Sequence, residues 1–131
     1  MDLVRAWGTA VAVYLVASLV TTIAAVGSDA AADGLTATGD RVVWNAVPMA
    51  LTFAAMTVLA GLAHPGPRRS SSSRHALAVF AVPAVLGVLG VVFGLATGPA
   101  VSAWSGGAGA LVGTAAGWGV LVALGRLRPA T

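Results

Sequence analysis

ALAVFAVPAVLGVLGVVFGLAT, residues 76–97, runs for 22 residues without a charged side chain or a histidine. As an α-helix rising about 1.5 Å per residue it extends about 33 Å, close to the ~30 Å hydrocarbon core of a bilayer. An open sheet would leave edge N–H and C=O groups unsatisfied in hydrocarbon, and the run lacks the alternation of barrel strands. A membrane-spanning helix is the reading that satisfies its backbone.

Three more uncharged stretches share this character, at residues 6–26, 42–63 and 104–125. The expected fold is therefore all-α: an integral membrane four-helix bundle forming a single transmembrane domain over 1–131. An outer loop, 27–41, and a polar, proline-broken, serine-rich inner loop, 64–75, join the spans. Composition agrees, with 58% apolar and 8% charged residues and a mean hydropathy of +0.93. A soluble domain carries roughly 25% charged residues to keep its surface wet.

The charges also set an expected direction. Arg5, Arg68, Arg69, Arg74, Arg126 and Arg128 fall on the side shared by the two termini and loop 64–75, against Arg41 alone on the other. By the positive-inside rule both termini are cytoplasmic. Trp44 and Trp104 at outer ends and Trp7 near an inner end fit an aromatic belt. The first span has Arg5 and an Ala25-Val26-Gly27 that loosely resembles a cleavage site, but its apolar run exceeds the ~7–15 residues of a signal peptide. Retention as an anchor is expected.

Helix punctuation refines the ends. Gly27 and Ser28 read as a C-terminal stop, and Asn45 three residues before Pro48 as a capped start. Pro65, Pro67 and Gly98–Pro99 close the second and third spans. Pro83 lies inside the third, where it frees a carbonyl near Val79 and bends the helix. Residues 1–63 and 76–131 each form a similar hairpin, but no aligned residues make them a repeat.

The clearest pattern is glycine spacing. Eleven of the 17 glycines lie between Gly87 and Gly125. Gly90, Gly94 and Gly98, with Gly87 nearby, and then Ser105, Gly109, Gly113 and Gly117 recur every four residues, each set on nearly one helix face. Such glycine-zipper faces let backbones approach closely. Spans three and four are expected to pack against each other through them; the functional alternatives are oligomerisation or a pore between subunits. Ala46, Ala50 and Ala54 form a weaker alanine version.

Candidate chemistry is sparse. No Asp, Glu, Lys, Arg or His lies within the four spans, whereas a proton-coupled transporter normally needs a membrane-embedded carboxylate or histidine. Intramembrane Ser and Thr can bond to their own helix carbonyls. Tyr14 and Trp118 each carry one donor and read as packing residues with a local hydrogen bond. His64 and His75 bracket the inner loop without the third and fourth ligands a metal needs. Asp29, Asp33 and Asp40 lack calcium-loop spacing. Arg68, Arg69 and Arg74 are expected to contact anionic lipid headgroups.

No Gly-x-Ser-x-Gly elbow, phosphate-cradling loop or HExxH is present, so no enzyme and no cofactor or metal is expected. Without cysteine, thiol chemistry is excluded. The seven scattered arginines form no nucleic-acid stripe. The partners expected are the bilayer and a second copy or another membrane protein. Lacking Lys and Glu but rich in Ala, Gly, Val and Arg, the chain has the composition of a GC-rich bacterial genome, which places it in a bacterial cytoplasmic membrane. Its layout resembles that of small multidrug exporters, but their first helix carries an essential embedded glutamate and residues 6–26 hold no acid, so the resemblance carries no function. The reading reached is a non-catalytic accessory or interaction subunit, with a small oligomeric channel or facilitator as the alternative.

Overall fold

A computed structural model describes residues 2–28, 38–63 and 72–127, and all of its regular structure is α-helical. The helices are α1 (Asp2–Val26), α2 (Thr38–Ala63), α3 (Ser72–Thr97) and α4 (Ala100–Leu127). All four are long and apolar enough to cross a membrane. They alternate in direction, so the start of α1, the end of α2, the start of α3 and the end of α4 share one end of the bundle, the termini end.

Each helix is longer than its uncharged run. α2 begins at Thr38 rather than at Val42, α3 at Ser72 rather than Ala76, and α4 at Ala100 rather than Trp104. Polar flanking residues are compatible with helix once they lie beyond the hydrocarbon, so charge-free length underestimates helix length. The expected cap at Asn45 is corrected for this reason. Asn45 sits two turns inside α2, where its side-chain amide donates to the Arg41 carbonyl at 2.6 Å. Pro48 is interior rather than in the first turn, and removes the N–H that would otherwise bond Trp44 C=O. α3 likewise continues through Pro83, which is buried.

Where α1 stops, the Gly27 amide still reaches Ile23 C=O (3.0 Å), while the Ser28 amide and hydroxyl both donate to Ala25 C=O (3.3 and 2.9 Å). Gly98 N–H closes α3 on Gly94 C=O at 2.9 Å. Pro99 C=O then accepts from the Ser102 and Ala103 amides at 3.0 and 3.3 Å, so α4 starts immediately. Only this two-residue joint, Gly98–Pro99, links α3 to α4.

The core is small and lies toward the termini end. Ala6 and Ala10 of α1, Phe53, Met56 and Ala60 of α2 and Ala110 of α4 form one buried cluster. Tyr14 meets the Phe53 ring edge-on at 6.4 Å between centroids. Two alanines on one face let α1 approach α2 closely. Beyond Tyr14, α1 turns apolar side chains outward, with Leu15, Leu19 and Ile23 all more than 60% exposed. Phe93 on α3 (70%) and Leu111 on α4 (75%) do the same. Water would penalise so continuous an apolar exterior, whereas lipid does not.

Candidate functional site: a glycine seam and a glycine-lined cleft

The α2–α4 pair is the most extensive in the molecule. Gly109, Gly113 and Gly117, all buried, face Ala46, Ala50 and Ala54 in turn. A Cβ on Gly109 would meet the Ala46 carbonyl oxygen and stand 2.9 Å from Ala46 Cα. One on Gly113 would meet the Ala50 carbonyl oxygen and stand 2.8 Å from Ala50 Cα. At Gly117 the Ala54 oxygen would be 2.7 Å away and Thr57 Cβ 2.8 Å. In each case the hydrogen that a side chain would replace points at a carbonyl, the arrangement of a Cα–H···O contact worth about 0.5–1 kcal/mol. Residue numbers rise together along both helices, so the pair is parallel. Gly61 extends the seam by receiving the Leu121 side chain.

The expected pairing of spans three and four through matched glycine grooves is therefore corrected. α4's stripe is occupied by the alanine stripe of α2, leaving Gly90 and Gly98 of the α3 stripe without a helix against them. Of the α3 stripe Gly94 makes a close α3–α4 contact, with Ala103 Cβ 3.0 Å from where its own Cβ would be, and one turn away Val91 of α3 packs over Gly107, 2.6 Å from where a Cβ there would be. Gly87 faces Phe53 at 3.6 Å, and Gly90 has nothing within 4 Å. Gly98 would meet only the Gly94 carbonyl of its own helix, at 3.6 Å. Ser105 donates to Ser102 C=O at 3.1 Å. Toward the termini end α3 returns to α4 through aromatic rings, Phe80 to Trp118 at 5.0 Å and His75 to Trp118 at 6.0 Å.

Between these contacts α2, α3 and α4 enclose a cleft of about 250 Å³. Its walls are Met49 and Phe53 of α2, the Leu86–Gly98 stretch of α3, and Ala103, Gly107 and Ala110 of α4. Polar groups cluster at the end near the Gly98–Pro99 joint, where Asn45, Thr97 and Ser102 line it. The Thr97 hydroxyl is engaged by Phe93 C=O at 2.8 Å. Thr114 and Ser105, which with Thr97 would mark a crevice along span four, are not part of the lining. Toward the termini end the cleft stops at Phe53 and Leu86. Below them the buried side chains of Met56 and Val79 fill the bundle.

Several threonines are satisfied within their own helices. Thr9, Thr21, Thr22, Thr57 and Thr114 each donate to the carbonyl four residues earlier at 2.8 Å. Tyr14 and Trp118 are packing residues with aromatic neighbours. Among the described residues no group of three or more His, Asp or Glu is placed to hold a metal. His64, Asp29, Asp33, Arg68 and Arg69 lie outside the described residues, as does the side chain of Arg74. Sequence spacing marked the glycines, whereas Asn45 was read as a helix cap and Ser102 escaped notice because a lone Ser near a span end carries no pattern. Comparison with known proteins finds no matching protein family, no matching curated protein and no matching solved structure.

Proposed function

We propose that this protein resides in a bacterial cytoplasmic membrane with both termini inside and serves there as a non-catalytic accessory or interaction subunit. The observation carrying the reading is a division within the bundle. α2 and α4 are locked backbone to backbone, while all four helices, α1 and α3 most of all, present apolar faces to their surroundings. Such a platform holds fixed surfaces in the hydrocarbon layer. Exposed Arg5 and Arg126 at the termini end support the orientation. Arg68, Arg69 and Arg74 would add anionic-headgroup attraction of about 1 kcal/mol per charge near the surface.

A small oligomeric channel or facilitator is the rival, favoured by the polar end of the cleft. Because the cleft stops at Phe53 and Leu86, that reading needs a second copy to complete a path. Purification of the full chain from its native membrane in mild detergent, with mass spectrometry of what co-elutes, separates the two. A stoichiometric second protein is the expected result. Recovery of self-oligomers alone, with solute flux in reconstituted vesicles, would overturn the accessory reading. Release of the chain by alkaline carbonate would overturn membrane residence itself.

A further inference from the structure

We propose that the cleft between α2, α3 and α4 is a slot for one acyl chain of a membrane phospholipid, whose glycerol-ester region sits at Asn45 and Ser102. The assignment rests on the membrane residence proposed above and adds a ligand class to it.

Size decides the kind of occupant. The walls extend over 9 residues of α2 (45–53) and 13 of α3 (86–98), about 12–18 Å at 1.5 Å per residue. The open space between the wall atoms, about 680 Å³ with the mouth included, spread over that length leaves a cross-section of at most roughly 40–55 Å², against roughly 80 Å² for a helix of 10 Å diameter. A helix of a second copy or of another protein covers the mouth without entering. A hydrocarbon chain enters.

Polarity fixes its direction. Most of the wall is Gly, Val, Leu, Met and Phe, which holds no partners for water, and apolar cavities of this kind stay dry. An empty slot forfeits dispersion contacts along its whole length. Hydrocarbon is the one apolar filler present everywhere in a membrane. At the Gly98–Pro99 end the Ser102 hydroxyl and the Asn45 amide supply polar groups where an ester would lie, at the end of the span. The glycines make the slot: Gly90 and Gly98 meet no neighbouring helix, so they create free width rather than helix contact.

That openness gives a clean test, because a side chain at Gly90 starts from the wall of the slot with nothing within 4 Å of its Cβ. The full chain is placed in phosphatidylethanolamine nanodiscs and released for native mass spectrometry, alongside Gly90→Leu, Gly98→Leu and Ala24→Leu on the exposed flank of α1. Wild type and Ala24→Leu should retain one phospholipid per chain, and the two glycine variants should retain it about tenfold less, with unchanged thermal unfolding. Equal retention in all four would overturn the slot while leaving membrane residence intact. So would equal loss in Ala24→Leu. A protein partner displaced by Gly90→Leu in place of the lipid would also overturn it, naming a side chain of that partner as the occupant. If Gly90→Leu lowers the unfolding temperature, Gly98→Leu at the mouth decides alone.

Discussion

At Gly113 the space for one methyl group separates a formed seam from a broken one. Its missing side chain is replaced by the Ala50 backbone, which cannot move aside as a flexible side chain would. Overpacking usually costs about 1–3 kcal/mol, and a clash with backbone belongs at the upper end. Gly113→Ala should therefore lower stability in detergent by about 2 kcal/mol or more, and Gly113→Ile by more still, while Ala24→Ile on the exposed face of α1 changes it little. Unfolding in a denaturing detergent series measures this, and equal effects at the two isoleucine sites would refute the seam. Gly119 provides the opposite case. Nothing lies within 4 Å of it, and alanine is up to about 1 kcal/mol better than glycine in a helix interior. Gly119→Ala should leave stability unchanged or raise it slightly in the same series. The four-residue spacing alone does not distinguish these two glycines by consequence; their neighbours do.

Among the helices, α3 is held against α4 toward each end, while its middle packs on the core through Val82 and Leu86 and borders the cleft. One hold is the short Gly98–Pro99 joint with Gly94 against Ala103; the other is Trp118 against Phe80 and His75. Aromatic pairs contribute about 0.5–1.5 kcal/mol beyond the area they bury. Trp118→Ala should accordingly free the start of α3, raising amide hydrogen exchange over residues 75–83 roughly tenfold, the change about 1.4 kcal/mol produces, with residues 91–97 little affected. Uniform loosening of the whole helix would show that the joint, not the aromatic hold, sets its position. Element existence and number were readable because charge-free runs of this length have one backbone solution in hydrocarbon. Element pairing was not. In a soluble bundle an apolar stripe marks the inward face, but a helix apolar all round gives no such mark, since lipid is as apolar as a neighbouring helix. Chain adjacency then favoured spans three and four, while the alanine stripe at 46, 50 and 54 looked like a weaker copy of the glycine one instead of its complement. The start of α2 was misplaced because Asn45 and Pro48 have the spacing of a cap and a first-turn proline, although the helix already extends back to Thr38.

For the whole molecule, orientation is the property that charge rather than packing decides, and it is testable by rebalancing the loops. Six arginines on the side of the termini face one on the other. Removing three of them with Arg68→Ala, Arg69→Ala and Arg74→Ala leaves a three-to-one bias, still of the same sign, so the orientation should persist. Adding Asp33→Arg and Asp40→Arg brings the two sides to three each, and removes the asymmetry on which the rule depends. The seam itself is indifferent to this change, because α2 and α4 keep the same parallel contact whichever way the bundle faces. A mixed population of folded, oppositely oriented chains is therefore expected in place of a misfolded one. The absence of cysteine makes the measurement direct: Ser28→Cys and, separately, Ser71→Cys each introduce a single thiol for an impermeant maleimide applied to intact cells. In the parent and the triple-alanine chain only the thiol at 28 should react; in the rebalanced chain both should react in part. Labelling at 71 in the parent would reverse the proposed orientation, and full labelling at 28 alone in the rebalanced chain would show that something other than arginine balance fixes it.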